Sequence, residues 1–112
     1  MIRMHELISP FVIMSINVSD GGVQSEILPG INGVFVCTSL VVAVQSALSD
    51  HAVIAFNSIS AFVLAGPPST EFAQQYVYKF YLPLFGGNTI EAAAPSSGNM
   101  EGFLSGYYHA TG

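Results

Sequence analysis

The chain has 112 residues, of which 51% are hydrophobic and 8% charged, with two Lys and Arg against seven Asp and Glu and a net charge of -5. That length accommodates one hydrophobic core and so one domain, residues 1–112. Two basic residues, Arg3 and Lys79, are too few to neutralise a phosphate backbone or dock on an anionic bilayer, which argues against nucleic acid as a partner. A charged share so far below the roughly 25% of ordinary soluble domains leaves apolar and small polar groups outside, and such a surface favours association.

Residues 7–16 resemble the apolar stretch of a signal peptide, but Pro10 interrupts it, Glu6 offsets Arg3 and no small-x-small site follows, so no cleaved signal is expected. In residues 11–19, Met14, Ile16 and Val18 alternate with Ser15, Asn17 and Ser19, the period of a half-buried strand. Asp20, Gly21 and Gly22 then supply a turn before a second extended run over 23–28, and together these predict a hairpin. Pro29 and Gly30 break the chain, and Asn32-Gly33 launches the β-branched run Val34, Phe35, Val36.

Residues 39–49 fit either a helix, with Leu40, Ala43, Val44, Ala47 and Leu48 on one face, or a strand, given Val41, Val42 and Val44. The charge-free run 27–49 holds only about 15 solidly apolar residues in sequence, short of the ~20 that a membrane helix needs. A membrane hairpin turning at Asp50-His51 is therefore the last-ranked reading. Residues 52–65 are apolar on both parities, as in a strand buried on both sides or lying between subunits. After Pro67 and Pro68, residues 69–82 favour a helix with Phe72, Tyr76 and Phe80 on its apolar face, ended by Pro83. The Gly-, Ser- and Asn-rich remainder reads as loops with one short strand within 102–108.

No catalytic or metal-binding spacing is present. His5, His51 and His109 stand apart from one another, and a site built from Glu6, Asp50, His51 and His109 requires distant segments to meet. Ser105, in Gly102-Phe103-Leu104-Ser105-Gly106, lacks the G-x-S-x-G spacing of a nucleophile elbow. The glycine pairs lack phosphate-binding spacing, and Cys37 reads as a small buried hydrophobe. No cofactor is expected.

The fold expected from these patterns is mostly β, a small sandwich or barrel with one or two short helices; the alternative is an α+β two-layer domain with helices at 39–49 and 69–82. The function expected is a non-enzymatic, self-associating structural subunit of the coat, decoration or filament kind, ahead of an intracellular adaptor or heterodimerising scaffold. Tyrosine joins large apolar area to a hydroxyl that a wet rim satisfies, which nominates Tyr76, Tyr78, Tyr107 and Tyr108 as subunit contacts.

Overall fold

The computed structural model describes residues 11–30, 32–46, 50–66 and 69–110, with backbone alone for 69–72. Eight strands follow in chain order: β1 (Phe11–Ser19), β2 (Val23–Ile27), β3 (Gly33–Ser46), β4 (His51–Phe56), β5 (Ile59–Ala65), β6 (Ser69–Phe85), β7 (Thr89–Ala93) and β8 (Gly98–Ala110). They form two open antiparallel sheets, a long one in the order β1-β8-β3-β6 and a short one in the order β2-β7-β4-β5. Strands pair β1 with β8, β2 with β7, β3 with β6 and β4 with β5, so the chain is one long hairpin folded over on itself: a jelly roll.

Several expectations are corrected. No helix exists among the described residues, which removes both the short helices and the α+β alternative. Residues 39–46 continue β3 and 69–82 lie within β6; residues 47–49 of the first proposed helix lie outside the described residues. Valines and aromatics in both segments pack well on a pleated surface, and pairing in a sheet overrode a weak helical period. Pro83 does not end β6, because β6 is an edge strand and tolerates a missing N–H donor.

The expected hairpin of residues 11–28 is also corrected: both strands form, but β1 and β2 lie in different sheets. Asp20 and Gly21 take positive φ. The Asp20 and Gly21 N–H groups donate to the Gly98 and Pro95 carbonyls, which anchors this turn to the β7–β8 connection. The single expected strand over 52–65 is instead a hairpin, β4–β5, turning at Asn57 and Ser58 with φ of 53° and 67°. It is the one sequential pair that shares a sheet; every other connection crosses between sheets.

One core lies between the sheets. From the long sheet come Met14, Ile16, Phe35, Cys37, Leu40, Val42, Val44, Leu84, Met100 and Leu104, met by Ala52, Ile54, Phe56, Leu64, Ile90 and Ala92 from the short one. The Gly-rich tail contributes a central strand rather than loops. On its inner face β8 alternates Gly98, Met100, Gly102, Leu104, Gly106 and Tyr108. Glycine is needed at 102, where a Cβ would strike the Val41 carbonyl oxygen and sit 2.6 Å from the Val42 Cα. The bare backbone lets β8 close tightly on β3 while the residues between fill the core.

Candidate interaction surface

The groups that carry chemistry do not converge. Asp50, in the β3–β4 connection, accepts hydrogen bonds from the Ser96 N–H (2.9 Å), the Ser96 hydroxyl and the His51 N–H (2.8 Å). These bonds, those from Ser96 foremost, lower its carboxyl to a pKa of about 2. The Ser96 hydroxyl donates to the carboxylate, which at this lowered pKa is a weak base, and the His51 Nδ1 lies 3.6 Å from the carboxylate's other oxygen. The unit clamps two connections together. His109, near the opposite end of β8, is roughly 40 Å away at ~3.3 Å per residue, and Glu6 and His5 lie outside the described residues. No group of three metal-ligating side chains occurs among the described residues. Ser105 lies mid-strand, opposite Ser39 and Val12, with no turn beneath it. Cys37 is buried in the core, and burial pushes its thiol up to about 12.

An apolar cleft of about 500 Å³ opens where the β4–β5 turn meets the end of β6, lined by Phe56, Ile59, Ala61, Leu82 and Phe85 among others. Its two amide oxygens are both engaged: Asn57 Oδ1 accepts from the Thr89 N–H of β7 at 3.0 Å, and Asn88 Oδ1 from the Phe85 N–H of its own turn at 2.8 Å. The two open edges of the sandwich are bridged by side chains. At one, Gln24 accepts from the Asn17 N–H (3.0 Å) and donates to the Ser15 carbonyl (2.5 Å), occupying the free edge of β1. At the other, the Tyr76 hydroxyl donates to the Ala65 carbonyl (2.5 Å), and Phe62 packs on Tyr78 and Phe80 at centroid distances of 5.0 and 5.3 Å.

The outer face of the long sheet has no such cover. Since Phe35, Cys37, Leu40, Val42 and Val44 point into the core, the residues between them, Val34, Val36, Val41 and Ala43, point out, with the parity shifted by a bulge at Thr38. The ladder extends this outward set in rows. Val41 lies between Phe103 of β8 and Val77 of β6; Ser39 lies between Ser105 and Lys79; Ala43 lies between Glu101 and Gln75; Val36 lies between Tyr107 and Pro83. Val77 is 61% exposed and Tyr81 70%, and Val12 and Phe103 are exposed beside them. A sheet face turned to water ordinarily alternates to polar. Among the residues whose side chains are described, Lys79 and Glu101 are its only Lys, Arg, Asp or Glu, and a shallow depression of about 160 Å³ sits over Val41 and Ala43, walled by Gln75, Glu101 and Phe103.

The four nominated tyrosines separate by strand parity. Tyr76 and Tyr78 lie on the inner row of β6, stacked at 6.0 Å and half-buried against the core. Tyr108 also faces inward, 5.1 Å from Phe35, its hydroxyl donating to the Asn32 carbonyl. Tyr107 is half-buried on the outer face beside Val36. The remaining outer-face residues, Val41, Val77, Tyr81 and Phe103, were not singled out by sequence reasoning. Their signal was available in the two-sided apolar run of β3 and in the odd positions of β6 once β6 is read with period two.

No family model and no curated protein matches the chain. Dimeric latent PorU from Porphyromonas gingivalis is similar over 88% of this chain and 11% of its own, at 9% identity and a TM-score of 0.52. The Agl-KA catalytic domain matches 88% of this chain and 22% of its own, at 15% identity and a TM-score of 0.47. A family 35 carbohydrate-binding module from an environmental isolate matches 84% and 68%, at 17% identity and 0.39. The chain thus spans about a fifth or less of the length of the first two. At 9% identity the likeness to PorU bears on the sandwich fold alone, and the other two lie below the similarity at which even that inference holds.

Proposed function

We propose that this protein is a non-enzymatic structural subunit that self-associates through the outer face of its long sheet. The observation that carries this reading is β3: a central strand apolar on both sides, whose inner side forms the core and whose outer side, with Val36 buried and Val41 half-buried, is flanked by the exposed Val77, Tyr81 and Phe103. A fully apolar strand is the pattern of a strand covered on both faces, and contiguous exposed apolar surface of this kind marks interaction sites. The low charge of the whole chain supports the same reading, since little of the surface carries the charged groups that keep monomers apart. Jelly rolls serve as capsid, lectin and cupin domains, so the topology by itself does not select a role. The adaptor reading loses the helical layer it was built on, and no helix among the described residues is long and apolar enough to cross a membrane.

Light scattering of the purified protein over a wide concentration range, followed by electron microscopy of the concentrated sample, tests the proposal. Mass that rises with concentration, and falls back to a monomer in Val77→Asp, supports it. A constant monomer mass at every concentration refutes it.

A further inference from the structure

The outer face of the long sheet has a charge arrangement that is complementary to itself. Lys79 on β6 and Glu101 on β8 are both exposed, and among the described residues neither has an ion-pair partner. They flank β3 on opposite sides. Lys79 pairs in register with Ser39 and hence with Ser105, four residues along β8 from Glu101. With strands ~4.8 Å apart and ~3.3 Å per residue, that offset separates them by roughly 16 Å, too far to neutralise each other within one chain. The midpoint of the line between them falls on Val41, the outward residue between Val77 and Phe103.

We propose that two copies of this chain dock face to face about a twofold axis that passes Val41 in the plane of the contact, so that Lys79 of each copy faces Glu101 of the other. This rests on the self-association reading and adds its partner, symmetry and register. A twofold perpendicular to the Lys79–Glu101 line exchanges the two charges, giving two equivalent ion pairs around an apolar centre where Val41 meets its own copy. In flat projection the same operation lays the partner's Val77 about 3 Å from Ala43, over the depression walled by Gln75, Glu101 and Phe103. Phe103 falls over the small residues Ser39 and Ser105. The most exposed aliphatic side chain of the face thus meets its shallow hollow, and the Phe103 ring meets its serines.

The operation crosses the strands of the two copies at roughly 70°, close to the orthogonal class of sheet packing. Two faces each ~19 Å wide then overlap over roughly 400 Å² per copy in projection, at the small end of specific interfaces. A dissociation constant in the micromolar range or weaker is the corresponding expectation, and the ion pairs at the rim set register more than strength.

The test is sedimentation equilibrium from about 10 μM to about 1 mM, at low and high salt, for the wild-type chain, Lys79→Glu, Glu101→Lys and the double reversal, with thermal melts by circular dichroism to verify folding. Each single reversal sets two like-charge contacts in the dimer and is expected to weaken it about tenfold; the double reversal restores it to within about threefold. A second measurement is independent of charge. In Val41→Cys a short bis-maleimide is expected to link two copies, whereas in Val53→Cys, on the outer face of the short sheet, it is not; buried Cys37 does not compete. A dimer indifferent to both single reversals, or one cross-linked through position 53 and not 41, overturns this geometry while leaving self-association standing. A monomer up to about 1 mM overturns both.

Discussion

Adding a single methyl group at Gly102 is expected to be among the most damaging small changes to this protein. Gly102 lies mid-way along β8, paired with Ile16 on one side and Val42 on the other, so its neighbours are backbone and cannot swing aside as a side chain would. A Cβ there meets the Val41 carbonyl oxygen, lies 2.6 Å from the Val42 Cα and 2.8 Å from its Cγ1, well inside ordinary contact. Relief requires β8 to move off β3 by about an ångström, which weakens several ladder hydrogen bonds at about 1 kcal/mol each and loosens the core between the central strands. We expect Gly102→Ala to destabilise by about 3 kcal/mol or more, within the upper range of overpacking changes. At 4–8 °C per kcal/mol for a domain near this size, the melting temperature should fall by roughly 10–20 °C. Two controls grade the argument. Gly87, with φ of 89° and open space around it, should cost about 1 kcal/mol as Ala through backbone strain alone. Gly30, with open space and no positive φ, should be near neutral or slightly stabilising as Ala. Calorimetry on the three variants decides; a Gly102→Ala protein melting within about 2 °C of wild type would refute close backbone approach as the reason for glycine in β8.

Asp50 has its carboxyl lowered to about 2 in the folded chain, against an ordinary value of 3.8, so it stabilises the fold above pH 4 and loses that contribution as pH falls toward 2. Asp50→Asn should therefore melt below wild type at pH 7, with the difference shrinking as a melting series descends from pH 4 to pH 2. Cys37, its thiol pushed up to about 12 by burial, should resist a maleimide in the native protein and react on addition of denaturant; fast native labelling at pH 8 would contradict its placement. Leu104 is fully buried opposite Leu40, and Leu104→Ala should cost about 2–5 kcal/mol by denaturant titration.

Local alternation in β1 is enough to identify its core residues, because Met14, Ile16 and Val18 differ from their neighbours strongly enough for period two to stand out. What it lacked was a partner. Asp20-Gly21-Gly22 permits a turn but does not dictate whether the next strand pairs or crosses, and here the turn's N–H groups bind the β7–β8 connection instead. The same limit applies to β6. Read with period 3.6, Tyr76, Phe80 and Phe72 share a face; read with period two, Tyr76, Tyr78 and Phe80 turn inward and Val77, Lys79 and Tyr81 turn outward. Composition misled in the last quarter of the chain, where glycines that suggested loops mark a close approach of β8 to β3.

From sequence alone came the shortage of charge, the alternation of β1, the turn residues and the two-sided apolar character of residues 52–65. These are local properties, carried by each residue and its near neighbours. Tertiary structure alone decided that β1 pairs with β8, that residues 52–65 fold into a hairpin, and that one apolar side of β3 faces the core while the other lies between the exposed Val77 and Phe103. Those outcomes depend on pairing between residues as far apart as Phe11 and Gly106, and a strand's own period specifies which residues share a side without specifying what that side will meet.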